Sequence, residues 1–231
     1  MSEDEPISTR LARYREQLDA ESGNAEAKRA FAAALREIIE ELDATGAPPE
    51  QLMAETGRLL ELAAELRRHA VARPERASEG FTGMETFHDR SPIVGLANPL
   101  APPAVLEHHP EQHCVRGKVE FGKAFEGGPG LVHGGFLAAL LDEVLGVVTI
   151  YSGNPGMTGE YTVRFVRPTR IKVPLRFEAR FDRREGRKIY VSAEIWDGDT
   201  RTVEATGTFI SVEAAHFESL HADRSERIGE R

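Results

Sequence analysis

Residues 133–151 read HGGFLAALLDEVLGVVTIY, and this stretch carries the only long helical pattern in the second half of the chain. Apolar residues recur in it at steps of three and four, which is typical of a helix with one broad apolar face. They are Phe136, Leu137, Leu140, Leu141, Val144, Leu145 and Val148. We therefore predict a helix over about His133–Tyr151 that is largely buried against another layer.

On both sides of this helix the apolar period is two, which is typical of strands with one buried face. The predicted strands cover Val115–Phe121, Tyr161–Phe165, Leu175–Phe181, Ile189–Ile195 and Arg201–Val212. Turn signals at Glu185-Gly186 and Asp197-Gly198-Asp199 separate the later strands. An antiparallel sheet packed on one helix, an α+β layout, is the architecture that this order favours.

The first part of the chain is predicted to be helical, with a break at Gly46–Pro49 and a further break at Glu21–Asn24, giving two or three helices. Residues 91–110 contain five prolines and are predicted to be an ordered loop. The predicted organisation is a helical extension over 1–70, a linker over 71–92, the α+β domain over 93–213 and a charged tail over 214–231.

Composition excludes several classes of protein. The net charge of −9 argues against general nucleic-acid affinity. The longest apolar run, Phe136–Tyr151, contains two acids and is shorter than the roughly 20 residues of a membrane span. The acidic N-terminus lacks the features of a secretory signal, so we expect a cytoplasmic protein. Cys114 is the single cysteine, which excludes an internal disulfide and a thiolate-rich zinc site.

Asp142 is an acid in the middle of the apolar helix. It lies in line with Ala138, Gly146 and Thr149, a strip of small side chains that would let a ligand or another chain approach. Burying a carboxylate without partners costs several kcal/mol. The helix alone leaves two interpretations open, a functional carboxylate or one that reaches solvent. Glu143, the next residue around the helix, is predicted to face water.

The helix starts after a glycine-rich segment, Gly127–Gly135, with no Ser, Thr or Asp in the capping position. We expect its first N–H groups to be free, and such groups, with the helix dipole, can stabilise an oxyanion. The alternative is a glycine-rich turn that serves geometry alone. Neither of the glycine motifs of nucleotide-binding loops, G-x-G-x-x-G and G-x-x-x-x-G-K-[ST], is present between a strand and a helix.

These motifs together resemble the hotdog-fold acyl-CoA thioesterases of the phenylacetate-pathway (PaaI-like) type, in the subgroup that includes the human thioesterase superfamily member 4. The resemblance covers roughly Val115–Val212 and rests on several motifs in one order. They are EGGPG before the HGG of residues 133–135, an acid nine residues after His133, a Thr sixteen residues after that acid, Arg167-Pro168 and the EGRK of residues 185–188.

The resemblance implies a hotdog fold, in which the sheet wraps one long helix, and a catalytic role for Asp142 as general base or nucleophile. It also implies that a backbone N–H of the Gly134-Gly135 pair polarises the thioester carbonyl, and Gly134 is preferred over Gly135 as that donor. Thr158 would hold the water or orient the carboxylate across a dimer interface. His133 would position the loop, or make a structural hydrogen bond at the helix start. The alternative for Thr158 is a β-branched residue that merely begins a strand.

Ten basic residues and three acids lie between Tyr161 and Tyr190. Arg167, Arg187 and Lys188 are the candidates to bind the phosphates of coenzyme A. Arg176, Arg180 and Arg183 are predicted only to coat the solvated face of their strand. Some relatives carry Asn or Gln a few residues before the His, where this chain has Gly127 and Gly128.

The function predicted from the sequence is hydrolysis of an acyl-CoA without a metal or organic cofactor, by a homodimer or a dimer of dimers. A non-catalytic acyl-CoA-binding module, delivered to a partner by the N-terminal helices, is the alternative. A dehydratase is disfavoured, because no His lies between Asp142 and Tyr151. The N-terminal helices are expected to pack on the sheet layer, to support oligomerisation or to bind a partner.

Overall fold

The computed structural model describes residues 7–69 and 89–211. The first part forms two helices, α1 (Ile7–Ala44) and α2 (Pro49–Arg68). The second part forms one long helix, α3 (Gly134–Tyr151), and six strands. The strands are β1 (Ala104–His109), β2 (Cys114–Val119), β3 (Gly156–Phe165), β4 (Leu175–Glu185), β5 (Lys188–Asp197) and β6 (Thr200–Ser211). Short 3-10 helices cover Pro110–Gln112 and Lys123–Phe125.

The six strands form one antiparallel sheet in the order β1-β2-β4-β5-β6-β3. Strands β4, β5 and β6 follow one another through tight turns and pair as neighbours. Strand β3, which follows α3 directly, pairs with β6 and lies at one edge of the sheet. One side of β3 therefore has no strand beside it within the described residues.

Helix α3 packs on one face of this sheet, and the core lies between them. Leu140, Leu141, Val144 and Leu145 are fully buried there against strand residues such as Phe177. By length and apolar composition alone α3 resembles a membrane span. Its burial against the sheet accounts for that composition, since a central helix needs the same apolar surface. The predicted α+β layout, an antiparallel sheet on one long helix, is confirmed.

Two predictions about elements were wrong. Residues 104–109 form a strand, β1, where we expected loop. This edge strand has Pro103 before it and Pro110 after it, and a proline at either position removes no hydrogen bond from the sheet. The polar residues of the strand also hide the alternation of buried and exposed side chains. Helix α1 is continuous through Glu21–Asn24. One glycine in a helix costs only about 1 kcal/mol, so strong helix formers on both sides prevail.

The predicted break at Gly46–Pro49 lies between α1 and α2, with Pro49 as the first residue of α2. No residue of α2 is buried, and several of its large apolar side chains are exposed. Most of the predicted linker and all of the predicted tail lie outside the described residues, so the domain boundaries stay predictions.

Candidate active site

Asp142 lies midway along α3 and is half-buried. The Thr158 hydroxyl donates a hydrogen bond of 2.9 Å to its Oδ1. Thr158 lies near the start of β3 and is itself exposed. The resemblance implied that this contact crosses a dimer interface. The structure forms it within one chain, because β3 follows α3 in sequence and runs back along it.

A β-bulge brings Thr158 to the side of the sheet that faces α3. The pairing of β3 with β6 shifts by one residue between Thr158 and Glu160, so Gly159 is the extra residue. Thr158 pairs with Phe209, a core residue, and directly paired residues project to the same face. A Cβ at Gly159 would lie 3.2 Å from the Thr208 carbonyl oxygen, which favours glycine at this position.

At the start of α3, His133 is the N-cap residue, and its Nδ1 accepts a hydrogen bond of 3.0 Å from the Gly135 N–H. The expectation that the first N–H groups are free is therefore wrong for Gly135, because an imidazole can cap a helix as a Ser or Asp does. Among the described residues, none accepts the N–H of Gly134. The Gly134 N–H thus has no acceptor among the described residues, and His133 makes the structural hydrogen bond that was one of its two expected roles.

The glycine-rich segment before the helix forms a tight loop. The Gly127 N–H bonds to the Leu131 carbonyl, and Gly130 has a φ of +74°, a conformation that glycine adopts readily. The backbone N–H of Gly130 also donates to the Glu126 carboxylate. The loop ends where the His133 N–H donates 2.8 Å to the carbonyl of Phe125. The start of α3 is therefore held by the residues just before the loop.

Strand β3 runs along the first half of α3, from Asp142 back to Gly134. Thr158 contacts Asp142, the Tyr161 hydroxyl donates 3.3 Å to the Ala138 carbonyl, and Phe165 packs beside Gly134. Two members of the strip of small residues that was predicted to admit a ligand or another chain, Ala138 and Asp142, thus face the edge strand of the sheet. The strip remains accessible in part, since Ala138, Asp142 and Gly146 are half-buried.

Asp142 and Gly134 are eight residues apart on one helix, which separates them by about 12 Å along its axis at about 1.5 Å per residue. A carbonyl under attack lies within roughly 3 Å of both its attacking group and its oxyanion donor. One thioester carbonyl therefore cannot lie in direct contact with both Asp142 and Gly134 of the same chain.

The three basic residues that were predicted to bind phosphates lie at two different ends of the sheet. Arg167 follows β3 at the end near Gly134, where Phe165 also lies. Arg187 lies in the turn before β5 and Lys188 is the first residue of β5, at the other end of the sheet. There Lys188 pairs with Ile210, and Ile210 pairs with Met157. Two strand spacings place Lys188 about 10 Å from the strand segment that bears Thr158. All three are exposed.

The arginines predicted to coat the sheet lie on its solvated side with partners. Arg180 pairs with Glu178, Arg183 lies 3.8 Å over the Tyr190 ring, and Arg176 lies 5.8 Å from the Trp196 ring. Two open depressions of about 520 and 460 Å³ also lie on that side of the sheet, and neither is lined by Asp142 or Thr158. The candidate site is therefore separate from them.

Sequence reasoning missed two side chains near Asp142. Tyr161 was assigned only to an apolar row, although a phenol in such a row needs a polar partner. Partial burial and the nearby Asp142 charge raise the pKa of Tyr161. Glu143 was predicted to face water and is instead half-buried, accepting a 2.7 Å hydrogen bond from Ser91. No local pattern could reveal this pair, because Ser91 is 52 residues away.

Burial raises the pKa of Glu143, and the adjacent Asp142 charge raises it further, while the Ser91 hydroxyl acts in the opposite direction. The Ser91 oxygen also accepts the N–H groups of Ile93 and Val94. The two neighbouring acids of α3 thus differ in partner and surroundings. Among the described residues, no group of three or more His, Cys, Asp or Glu side chains is placed to hold a metal ion.

Comparison with known proteins identifies the family. The model of the thioesterase superfamily matches residues 129–204. A solved structure of a thioesterase superfamily protein aligns with a TM-score of 0.72 and 33% identity, over 80% of this chain and 90% of that one. The chain belongs to the thioesterase superfamily, and the predicted hotdog fold with its N-terminal helical extension is confirmed.

Among curated proteins, the chain is similar to acyl-coenzyme A thioesterase THEM4 of Bos taurus, with 35% identity over 94 residues. It is also similar to acyl-coenzyme A thioesterase THEM5 of Homo sapiens, with 30% identity over 94 residues. Each alignment covers 40% of this chain and 38% of the relative. The chain therefore spans well under half the length of the curated relatives that it matches.

Proposed function

We propose that this protein hydrolyses an acyl-CoA thioester to a free acid and CoA, with Asp142 as the catalytic carboxylate. The observation that carries the proposal is the half-exposed Asp142 on an apolar helix, with Thr158 bonded to one of its oxygens, in a chain of the thioesterase superfamily. A catalytic role explains why the protein tolerates the free-energy cost of partly burying a carboxylate on an apolar helix. The curated relatives are named as acyl-coenzyme A thioesterases, which supports the substrate class.

In the general-base route, the second oxygen of Asp142 takes a proton from a water molecule, and the resulting hydroxide adds to the thioester carbon. The Gly134 N–H stabilises the oxyanion of the tetrahedral intermediate. The C–S bond then breaks, and the thiolate takes up the proton from Asp142. In the alternative route, Asp142 itself attacks and an acyl anhydride is hydrolysed in a second step. Neither route uses a metal or an organic cofactor.

The proposed site is composite, with Asp142 and Thr158 from one copy and Gly134 from a second. The separation of about 12 Å within one chain supports this arrangement. The edge position of β3 and the exposed apolar side chains of Phe136, Met157 and Phe165 provide a surface on which a second copy can pair. We propose a homodimer, or a dimer of such dimers, as the functional state.

In this assembly, Arg167 of one copy and Arg187 and Lys188 of the other approach the same substrate. Their positions at opposite ends of one chain's sheet agree with this, since Arg167 accompanies Gly134 while Lys188 lies toward Thr158. Exposed guanidinium and ammonium groups suit the diphosphate and 3′-phosphate of coenzyme A.

Mixing two inactive variants tests the function and the composite site together. Asp142→Asn removes the carboxylate. Gly134→Pro removes the N–H without a change of backbone conformation, because proline suits the first residue of a helix and His133 already has an extended backbone. Each variant alone should release almost no CoA thiol from an acyl-CoA panel. Coexpressed in equal amounts, they should regain about a quarter of wild-type turnover, because half the dimers are mixed and each mixed dimer has one intact site.

Gly134→Ala is the matched control, since it adds a Cβ beside Phe165 as proline does and keeps the N–H. It should retain most of the activity. Recovered turnover supports the composite site. Wild-type hydrolysis without any recovery on mixing would refute the shared site, and absence of hydrolysis by the wild type would refute the thioesterase function.

A non-catalytic acyl-CoA-binding module is the second candidate, because α2 leaves large apolar side chains exposed for a partner. They are Leu52, Met53, Leu59, Leu60 and Leu66. Tight binding of acyl-CoA with no release of thiol across the panel would favour this module over the enzyme.

A further inference from the structure

Helix α1 docks on the thioesterase domain through one polar face. Arg29 pairs with Asp89 at 2.7 Å, and Arg36 donates 2.9 Å to the Asn98 carbonyl and 3.2 Å to that of Leu96. One turn further along, the Glu40 carboxylate reaches the backbone of residue 123. Ala32 is buried on the same face. These residues follow one another at steps of three and four, so they form one side of the helix.

Glu40 makes the most extensive of these contacts. Its two oxygens lie 2.8 and 3.0 Å from the backbone nitrogen of Lys123, and the Lys172 ammonium lies 3.0 Å from Oε1. Partial burial raises the pKa of Glu40, but the Lys123 and Ala124 N–H groups and the Lys172 charge together hold it below its ordinary value. The carboxylate is therefore ionised at neutral pH.

The segment that Glu40 holds leads directly to the helix start. Lys123–Phe125 is a 3-10 helix, and the Phe125 carbonyl accepts the His133 N–H at 2.8 Å. The Phe125 ring also packs edge-on against Phe136, with 4.9 Å between ring centroids. Two hydrogen bonds thus connect Glu40 to the start of α3. The first joins Glu40 to the Lys123 N–H, and the second joins the Phe125 carbonyl to His133, the residue that caps α3.

Gly122 makes this contact possible. A Cβ at position 122 would collide with the Glu40 carboxylate, whereas the glycine backbone itself has an ordinary extended conformation. A side chain at 122 would therefore displace the carboxylate without removing it. The anchor depends on one residue from α1 and one from the thioesterase domain, and each can be changed independently.

We propose that Glu40 is a positioning residue for the Gly134 oxyanion donor, so that the N-terminal helix is part of the catalytic apparatus rather than an appendage. This inference rests on the proposed function. The Glu40 carboxylate fixes Lys123–Phe125, Phe125 fixes His133, and His133 orients the first turn of α3. A small displacement of such a donor is costly, because misplacement by about 1 Å can reduce a rate by roughly a hundredfold.

The test compares Glu40→Ala, Glu40→Gln and Gly122→Ala in the full chain, with acyl-CoA hydrolysis and amide exchange as readouts. Glu40→Ala and Gly122→Ala should each lower kcat about tenfold or more while KM changes by less than about threefold, since binding groups are untouched. Glu40→Gln keeps one acceptor for the Lys123 N–H and should restore part of kcat. In both disrupting variants the His133 amide should exchange at least about tenfold faster.

Two matched controls separate positioning from docking. Glu37→Ala removes an exposed acid from the same helix, and Arg29→Ala breaks a different contact of α1 with the domain. Both should leave kcat and His133 exchange near wild type. Equal losses in Arg29→Ala and Glu40→Ala would overturn the proposal, as would unchanged His133 exchange in Glu40→Ala.

Amide exchange at His133 also separates a failure of the proposed thioesterase function from a failure of the proposed role of Glu40. If the wild-type chain releases no CoA thiol, the proposed function fails. Faster His133 exchange in Glu40→Ala would then still support the anchoring of the helix start, and unchanged exchange would overturn that as well.

Discussion

The two ends of the candidate site on α3 are built differently. The middle of the helix, at Asp142, is supported by Thr158 from the strand that follows it in sequence. The start of the helix, at Gly134, is supported by His133, by the Phe125 carbonyl and, through Lys123, by Glu40 of α1. The position of the carboxylate therefore depends on local structure, whereas the position of the proposed oxyanion donor depends on a helix that lies far away in the sequence.

The largest effect is expected at the middle of the helix. Asp142→Asn keeps the side-chain shape and the acceptor for Thr158 but removes the base or nucleophile. The turnover of an acyl-CoA should fall by about 10³-fold or more, within the range of rate lost with a general base. Thiol release is the measurement, and an unchanged thermal unfolding midpoint is the control. Retained turnover would show that another group performs the chemistry.

A smaller loss is expected at the partner of that carboxylate. Thr158→Ala removes one hydrogen bond to a charged group and should lower kcat about tenfold, which corresponds to roughly 1.5 kcal/mol. Thr158→Ser keeps the hydroxyl and should stay within about threefold of wild type. If Ala and Ser behave alike, the hydroxyl has no part in turnover and Thr158 is only a strand residue.

At the start of the helix, His133→Ala should affect stability as well as rate. The substitution removes the acceptor for the Gly135 N–H, and loss of an N-cap costs about 1 kcal/mol. His133→Asn offers an oxygen in a similar place and should recover most of that free energy of unfolding. Denaturant titration of the three proteins decides this, and an Ala variant as stable as wild type would contradict the capping role.

The smallest effect is expected at Glu143, and it should depend on pH. Because its pKa is raised in the folded protein, mainly by burial, its ionisation opposes folding. The stability it contributes is present below the unfolded pKa and is lost as pH rises through the folded pKa. Glu143→Gln should therefore be more stable than wild type at pH 8, by an amount that shrinks toward pH 4. A difference independent of pH would contradict this assignment.

The sequence predicted α3, most of the strands and the position of Asp142 as an acid on the apolar helix. It could do so because a buried helix leaves a period of 3.6 in the apolar residues, and a sheet with one buried face leaves a period of two. The sequence-based predictions failed where contacts between distant segments decide the local structure. Strand β1 is formed by pairing with β2 rather than by its own pattern. Ser91 and Glu143 are brought together only by the fold.

By itself, the sequence determined which residues are candidates for the chemistry: a carboxylate on an apolar helix, a glycine-rich helix start and a threonine sixteen residues after the acid. The tertiary structure alone decided how these residues lie relative to one another. Regular alternation from Tyr161 would turn Thr158 away from α3, and the bulge at Gly159 turns it toward Asp142. The rise of the helix separates Asp142 from Gly134, and the docking of α1 decides what holds the helix start. Each is a relation between segments in space, which no local period encodes.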